Sequence, residues 1–551
     1  MFRVPAALVA LALSAVATGQ TPAASNPAAA ANAVITAPLP ADQAAMKAHV
    51  MFLASDAMKG REAGSPEYDI AAQYVAAQFY AAGLRPGGDA GGYLQRVPLV
   101  SYRPAGEGSF VWAARGKAPR PLAFGTDYIP APDPARAQTS VSAPVMFVGY
   151  GIDAPPYRYD SYKGANVRGK IVAFFRGAPA SFGGEERAFF GQDAQKLRAA
   201  AARGAIGAVM LTDPAGTPGD MQRLSAGYDR PRMNWADPDG KAPADALRTP
   251  LLGTLSPVAG AALFGPRWAA IARATASQSE RFRPVEAPGT LTIAVRTEFE
   301  PAESSNVVGL LPGSDPRLSR EIVVLSAHLD HIGVSERGDG DRINNGALDN
   351  AIGIASLIEE AKRFVGAKAP KRTLMFLAVT AEEKGLVGAD YFARHPTVAR
   401  ERLVADVNLD MPMLLYRFQD MNVYGADRST LGPIVARAVQ AGGATMSPDP
   451  APEQGFFVRS DHFRFVQQGI PSVFLWPGRA GEGKAASERF LATCYHRPCD
   501  DLTQPILWDQ GIRFVDINYR IAREIADAPE RPVWNKGDYF GTLYKGPMAR
   551  R

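Results

Sequence analysis

Four short apolar runs in the second half of the chain constrain its fold more than any other feature. They read NVVGLLPG (306–313), EIVVLSAHLD (321–330), TLMFLAVTAEE (373–383) and IPSVFLW (470–476). None alternates cleanly between apolar and polar residues, which is typical of strands buried on both faces. Between the second and the third, NAIGIASLIEEAKRF places apolar residues at 354, 357, 358, 361 and 364, which is helical spacing. The alternation of strand and helix predicts an α/β sandwich.

A different pattern occupies residues 131–290. The runs APVMFVGYGI, GKIVAFFRG, AIGAVMLTD and TPLLGTLS are short and β-rich, and Gly, Pro and Asp turns separate them. One helical stretch, DAQKLRAAAARG, lies among them. Because 551 residues are too many for one ordinary domain, we interpret this region as a separate β-rich module inserted into the α/β chain.

The N-terminus has the pattern of a secretory signal. Arg3 precedes the apolar run VPAALVALALSAVA, and small residues follow with cleavage positions near Ala17 or Gly19. The run is too short for a comfortable membrane span, and residues 20–45 read as a flexible linker. We therefore expect an exported protein, periplasmic or extracellular, with no stable membrane anchor. The net charge of +5 is spread along the chain, which argues against a nucleic-acid partner.

Polar side chains follow the predicted strands at the points where those strands end. In an open α/β sheet, ligands collect beyond the carboxyl ends of the strands. Two histidines and several carboxylates distributed over successive strand ends match the nitrogen and oxygen ligands that zinc takes in proteins. Four candidates close two of the strands: His328 and Asp330 one, Glu382 and Glu383 a second. Asp410 follows the run VADVNL, Asp349 opens the helix after the first of these strands, and His496 lies in the late loop YHRPCDD.

The local spacing of these residues suggests distinct roles. Residues i and i+2 of a strand face the same side, so the Asp330 carboxylate can contact the His328 ring nitrogen that does not bind metal. Glu382 and Glu383 diverge at a strand end, so one can bind metal while the other acts as general base. For that pair alone, a solvated acidic turn is the alternative.

Two cysteines, Cys494 and Cys499, bracket His496 in CYHRPC, and no others occur in the chain. An exported location would permit a short-loop disulfide between them, and two free thiols are the alternative.

In combination, several motifs resemble the co-catalytic di-zinc exopeptidase family of bacterial leucyl aminopeptidases and glutamate carboxypeptidases. They are SAHLDHIG, NNGALDNAIGIASLIEEA, AVTAEEKGLVGADYF, VNLDM, SDHFRFVQQGIPSVFL and YHRPCDD. The inserted module resembles a protease-associated domain. The resemblance implies a zinc-exopeptidase α/β/α sandwich with a mixed central sheet.

The same resemblance implies a division of the chain and a set of roles. The division is a signal peptide at 1–19, a linker at 20–45, catalytic parts at 46–130 and 291–530, a protease-associated insert at 131–290 and a tail at 531–551. Asp349 would bridge two Zn²⁺ ions, with His328 and Asp410 at one and Glu383 and His496 at the other. Glu382 would be the general base, Asp330 would orient His328, and Tyr495 is a candidate donor to the oxyanion. A cis peptide after Asp349 is also implied.

The expected activity is removal of N-terminal residues from peptides, for which Phe456 and Phe457 could line an apolar pocket or belong to the core. A carboxypeptidase of the same family, a second di-zinc exopeptidase family and a non-catalytic receptor-like protein are the alternatives. Only 85 residues separate Asp410 from His496, which leaves little room for the dimerisation domain of the second family. No G-x-S-x-G elbow and no H-E-x-x-H is present, which argues against a serine hydrolase and a thermolysin-like enzyme.

Overall fold

The structure is a computed structural model, and it describes residues 32–214, 220–237, 240, 249–276, 282–336 and 338–550. The predicted signal peptide and the first part of the predicted linker lie outside these ranges. Among the described residues, no helix has the length and apolar character needed to cross a membrane.

The strands are β1 (Arg85–Pro86), β2 (Leu94–Pro104), β3 (Ser109–Ala114), β4 (Arg120–Pro121), β5 (Tyr128–Pro130), β6 (Gln138–Phe147), β7 (Asp153–Ala154), β8 (Tyr159–Asp160), β9 (Ile171–Phe175), β10 (Gly207–Leu211), β11 (Arg232–Trp235), β12 (Leu251–Leu255), β13 (Val285–Leu311), β14 (Ile322–His328), β15 (Thr373–Val379), β16 (Leu403–Leu409), β17 (Asp420–Tyr424), β18 (Thr445–Ser447) and β19 (Ser472–Pro477). The α-helices are α1 (Ala41–Leu53), α2 (Pro66–Ala82), α3 (Gly184–Gly191), α4 (Asp193–Ala202), α5 (Asp220–Ala226), α6 (Pro257–Phe264), α7 (Trp268–Ala276), α8 (Ile352–Val365), α9 (Val387–Arg394), α10 (Leu431–Ala441), α11 (His462–Val466), α12 (Gly483–Thr493), α13 (Trp508–Asp527) and α14 (Tyr539–Leu543).

The main sheet is mixed. Its centre is the parallel series β15, β14, β16, β19, and β13 and β17 run antiparallel at its two sides. Every residue of β14, β15 and β16 is buried, so the near-continuous apolar runs follow from helices that cover both faces.

Alternate residues of β14 face two different apolar layers, one on each side of the sheet. Val323 and Leu325 belong to the core formed with α1, α2, α8 and α13. Ile322 and Val324 face the other layer, with Phe392 of α9. The predicted α/β class and the mixed central sheet are therefore confirmed.

The helix α2 illustrates how local sequence sets an element. The Ser65 side chain accepts a hydrogen bond from the Tyr68 N–H, Pro66 occupies the first turn, and Gly83 ends the helix in the left-handed region. Its buried face packs on the main sheet and on α8.

A second sheet lies within the first half of the chain. It contains the parallel strands β6, β9, β10 and β12 and has its own core, which draws residues from Phe110 to Val295. The 27-residue strand β13 joins the two sheets, because its first half pairs with β3 and β6 and its second half with β2 and β15.

Candidate metal centre

The carboxyl ends of the central strands bring the candidate residues together. His328 is the last residue of β14 and is paired with Val379, the last residue of β15. Glu382 and Glu383 come three and four residues after β15, and Asp410 comes directly after β16. Because these strands are parallel and in register, their last residues meet at one edge of the sheet.

Asp349 lies at the centre of this group, in the turn that opens α8. Its peptide bond to Asn350 is cis, as the resemblance implies. The Asn350 amide donates to the Leu409 carbonyl at 2.9 Å, which ties the turn to the end of β16.

The two oxygens of the Asp349 carboxylate face different partners. Oδ1 is 3.2 Å from Nε2 of His328, and that nitrogen is also 3.2 Å from Oδ1 of Asp410. Oδ2 is 3.1 Å from Nε2 of His496, which is 3.2 Å from Oε2 of Glu383. Each oxygen therefore belongs to its own set of one histidine and one further carboxylate.

The distances between these donor atoms fit zinc. With Zn–N and Zn–O bonds near 2.0–2.1 Å, the edge of a coordination tetrahedron is about 3.3 Å. The histidine-to-carboxylate distances of 3.1–3.2 Å in both sets are close to that value. The five side chains thus have the chemistry and the spacing to hold two ions that share Asp349.

His331 was not among the predicted site residues, and it lies fully buried beside the second set. Its Nδ1 is 2.7 Å from Oε1 of Glu383 and 3.9 Å from Oδ2 of Asp349, and these three residues also form a group able to hold a metal ion. The shorter distance is that of a hydrogen bond and the longer one exceeds a tetrahedral edge. The spacing therefore fits His496 better as the ligand, and His331 better as the donor that holds Glu383.

The contact between Asp330 and His328 differs from the prediction. The backbone carbonyl of Asp330 accepts the hydrogen bond from His328 Nδ1 at 3.1 Å, whereas Oδ1 of its carboxylate is 4.0 Å away. The carboxylate instead accepts hydrogen bonds from the backbone N–H groups of Glu382 and Glu383, at 3.0 and 3.3 Å. The reason is that β14 ends at His328, so the i, i+2 geometry of a strand no longer applies at Asp330.

The clustered carboxylates shift the pKa values of the site. Burial opposes protonation of His328, but Asp410 and Glu382 raise its pKa well above the usual value. Burial likewise opposes ionisation of Asp349, yet hydrogen bonds from His328 and His496 hold its pKa well below the usual range. The pKa of His496 rises to about 10 through Asp349 and Glu383 in spite of burial. The negative charge concentrated here is suited to cations.

The pKa of Glu382 shifts in the opposite direction from that of Glu383, to which His331 and His496 donate hydrogen bonds. Burial raises its pKa well above the usual value and the nearby Glu383 adds to the effect, while His328 opposes it. Glu382 lines the open cavity together with His328 and Asp349. It is therefore placed to exchange protons with a molecule in that cavity.

Arg61, from the KGREAGSP segment, supports the site and was not predicted from the sequence. Its guanidinium is fully buried and donates to the backbone carbonyls of Leu329, Gly346 and Asp349 at 2.8, 2.8 and 3.2 Å. It also donates to the Asn345 and Leu53 carbonyls. Arg61 thus fixes both the turn after β14 and the turn that carries Asp349.

Asp500 connects the His496 loop with the Asp349 turn. Its carboxylate accepts from the backbone N–H groups of Leu348 and Asp349 at 2.8 and 3.0 Å. Within the loop, Cys494 and Cys499 form a disulfide, and His496 has the left-handed φ of 57°. The bridge and Asp500 together define where His496 can lie.

The centre opens into a cavity of about 550 Å³. One wall is apolar and carries Phe456, Phe474 and Trp476, whereas Arg459, Arg479 and Glu488 add charge. Tyr495 lines the cavity beside His496, with ring centroids 3.8 Å apart. Burial, with Asp349 next, raises the Tyr495 pKa, so its hydroxyl is a hydrogen-bond donor at neutral pH.

Two buried residues near the cavity, Phe457 and His462, do not line it. Phe457 is fully buried against His462, Phe463 and Phe540, so only Phe456 of the pair lines the cavity. His462 is buried as well, and burial lowers its pKa to about 3.

Part of the chain is similar in sequence to a known peptidase family. Residues 306–522 match the model of Peptidase family M28, and all five proposed ligands and Glu382 lie within that range. The resemblance to zinc exopeptidases derived from the motifs is confirmed over these residues, whereas the protease-associated insert stays a prediction.

Two curated relatives match over 127 and 252 residues. A vacuolar membrane protease of Lachancea thermotolerans is 33% identical over 127 residues, covering 22% of this chain and 12% of that protein. A probable leucine aminopeptidase 2 of Aspergillus oryzae is 28% identical over 252 residues, covering 44% and 48%. The chain thus spans less than half the length of these curated relatives.

Among solved structures, an aminopeptidase from Aneurinibacillus sp. strain AM-1 aligns with a TM-score of 0.50 and 19% identity. The alignment covers 89% of this chain and 95% of that one. This likeness confirms the fold class.

Proposed function

We propose, with residues 306–522 taken as a domain of Peptidase family M28, that the chain is a zinc-dependent exopeptidase acting as an aminopeptidase. The observation that carries the proposal is the division of the Asp349 carboxylate. Its two oxygens lie 3.2 and 3.1 Å from the histidines of two separate donor sets. Such a carboxylate is suited to bridging two ions, which is the arrangement of a two-metal hydrolase.

The residues that would hold two Zn²⁺ are the five of those sets. The first set comprises His328, Asp349 and Asp410, and the second comprises Asp349, Glu383 and His496. When bound, zinc supplies Lewis-acid polarisation of a scissile carbonyl and of water. Three of these ligands are carboxylates, so the site can neutralise most of the charge of two divalent ions.

The remaining site residues would move and hold protons. Glu382 takes a proton from the attacking water and passes it to the leaving amine, since it lines the cavity beside both donor sets. Asp330 holds the backbone of Glu382 and Glu383 in place. Tyr495 donates a hydrogen bond from its hydroxyl to the developing oxyanion.

The lining of the cavity favours peptide substrates with an apolar first residue. Phe456, Phe474 and Trp476 offer an aromatic wall next to the donor sets, and an apolar side chain buried there gains roughly 1.5–3 kcal/mol. Glu488 also lines the cavity, and its carboxylate could bind the free amine of the substrate. The second candidate is a carboxypeptidase, because Arg459 and Arg479 line the same cavity and could bind a terminal carboxylate.

The cellular setting and the domain division are further parts of the proposal. We place the protein in the periplasm or outside the cell, as the N-terminal sequence predicts, and the Cys494–Cys499 disulfide is consistent with an oxidising compartment. We retain residues 131–290 as a protease-associated insert that shapes access to the cavity.

Metal content and activity can be measured on the same preparation. We expect two zinc ions per chain, and cleavage of Leu-p-nitroanilide that a chelator abolishes and zinc restores. Acyl-blocked peptides should resist cleavage; if only blocked peptides are cut, the carboxypeptidase alternative is correct.

Substitution of the base tests the catalytic part of the proposal. Glu382→Gln keeps the shape of the side chain but cannot accept the proton, so we expect kcat to fall by about 10²–10⁴-fold with the zinc content unchanged. The matched control is Glu488→Gln, a second carboxylate of the cavity that should alter KM more than kcat. Full activity of Glu382→Gln would exclude Glu382 as the base.

A further inference from the structure

The insert helix α3 lies directly on the loop 451–459, which forms part of the cavity wall. This loop contains two short 3₁₀ turns, Pro452–Gln454 and Phe456–Val458. Ala451, Gln454, Phe456 and Arg459 line the cavity on its inner side. The loop is therefore held between the insert and the site.

Glycines on both sides allow an unusually close approach. A Cβ atom at Gly184 of α3 would lie 2.2 Å from Cβ of Pro452, and one at Gly455 of the loop would lie 2.0 Å from Cβ of Ala188 in α3. Neither position can accept a side chain without separating helix from loop. The backbone contact is complemented by a hydrogen bond from the Gln192 amide to the Val458 carbonyl at 3.3 Å.

Arg428 ties the same helix to the catalytic part of the chain with charge. Its side chain is 11% exposed and bonds to Glu185 and, at 3.0 Å, to Glu186, both in the first turn of α3. A third carboxylate, that of Asp538, lies 3.0 Å away. The guanidinium also lies over the ring of Phe457 at 5.2 Å, so one side chain contacts the helix and the loop together.

The apolar face of α3 adds to this attachment. Phe189 is buried and packs edge-on against Phe463 and Phe540, with centroids 6.1 and 5.4 Å apart. The helix is thus part of the main core rather than a separate lobe resting on it.

On the cavity side, the loop presents one aromatic ring. Phe456 packs against Trp476 with centroids 5.0 Å apart and against Tyr424 at 5.6 Å. Its position depends on the loop backbone, because the neighbouring Gly455 has the left-handed φ of 62° and any shift of α3 acts on that residue directly.

We propose that α3 and Arg428 are a positioning device of the proposed exopeptidase, holding Phe456 where it selects substrates by the size of their first side chain. The inference rests on the proposed function for its substrate, and on the packing alone for its mechanical part. Arg428 acts here through Phe456 and touches no reacting atom.

The mechanical part is tested by hydrogen exchange on the full chain, which needs no activity. Arg428→Met retains the bulk of the side chain and removes its donors. We expect the amides of Gly455, Val458 and Arg459, each bonded within the loop at 3.1 Å, to exchange at least roughly tenfold faster. Arg428→Lys keeps the charge but cannot serve three carboxylates at once, so its effect should be intermediate.

The selectivity part is tested with p-nitroanilides of alanine, leucine and phenylalanine. In Arg428→Met we expect kcat/KM for the two large residues to fall relative to alanine by roughly tenfold, mostly through KM, with the zinc content unchanged. The double variant Glu185→Ala with Glu186→Ala attacks the contact from the insert and should act in the same direction. If Arg428→Met does not fold, this double variant replaces it in both measurements. The control is Arg437→Met, an arginine whose side chain is 59% exposed and paired with Glu524, which should change neither measurement.

The outcomes separate the two proposals. Unchanged exchange in the loop overturns the positioning role, whatever the activity. Faster exchange with an equal loss for all three substrates also overturns it, since Arg428 would then be a stabilising residue only. Faster exchange in a protein that cleaves no aminoacyl substrate supports the mechanical coupling and refutes the proposed function.

Discussion

Replacing Arg61 by methionine should destabilise the protein strongly, because its guanidinium makes contacts that no other side chain can reproduce. The side chain is completely buried, and it donates to five backbone carbonyls. One belongs to Leu53, one to Leu329 and three to the turn 345–349. Burial lowers its pKa while the Asp349 carboxylate opposes that change, so the charge is part of the electrostatic balance of the site. Methionine fills similar space but leaves the carbonyls without donors.

The loss of unfolding free energy in Arg61→Met is the difference between two opposing contributions. Losing charge-assisted hydrogen bonds costs about 1.5–3 kcal/mol each, but the variant is relieved of desolvating a guanidinium. Removing one partner of a buried polar cluster typically costs about 3–5 kcal/mol in total, and we expect that loss for Arg61→Met. Because Arg61 also holds the Asp349 backbone, zinc affinity should fall at both proposed sites.

Urea unfolding followed by circular dichroism, with and without zinc, measures the first effect, and chelator competition measures the second. Arg61→Lys should be intermediate, since one ammonium group cannot span the three segments. The control Arg437→Met should stay within about 1 kcal/mol of wild type. If Arg61→Met does the same and keeps its zinc affinity, the assigned role of Arg61 is wrong.

Two further variants test the buried Asp406 of β16 and the loop around His496. Burial raises the pKa of Asp406 to about 8, so between the unfolded value near 3.8 and pH 8 the folded state binds one proton more than the unfolded state, and stability falls as pH rises. Asp406→Asn mimics the neutral acid and should be the more stable protein at pH 8, by on the order of 1 kcal/mol or more; equal pH profiles in thermal unfolding would contradict this. Replacing Cys494 and Cys499 by serine opens the loop around His496 and should cost about 2 kcal/mol and weaken one of two zinc-binding steps in calorimetry, whereas equal loss of both steps would count against the assignment of His496 to the second set.

The sequence was most informative where the structure is locally determined. Buried parallel strands must be apolar along their whole length, and a polar residue directly after such a run must lie at the sheet edge. His328, Glu382, Glu383 and Asp410 could be found by that reasoning alone. Assigning Asp349 and His496 required the family motifs, because neither follows a strand.

The contacts that support the site could not be read from spacing. Arg61 bonds to Asp349, 288 positions along the chain, and no local pattern indicates a partner at that distance. Asp330 was correctly predicted to contact His328, but its backbone carbonyl makes the contact and its carboxylate does not. The strand geometry assumed for the prediction ends at His328. The HLDHIG motif contained a signal for His331, a second histidine beside a strand end, but its hydrogen bond to Glu383 depends on how two loops fold.

The continuous strand β13 has a consequence for how the polypeptide is assembled. Its second half pairs with β2 in a register that joins Leu94 to Val307. The strand β2 can therefore form this pairing only after about two hundred further residues have been added to the chain. Pairing over such a separation is slow because a long loop must be closed first. During synthesis, the edge of β2 that pairs with β13 therefore stays uncovered until the intervening segment has been made. An uncovered strand edge can associate with other chains.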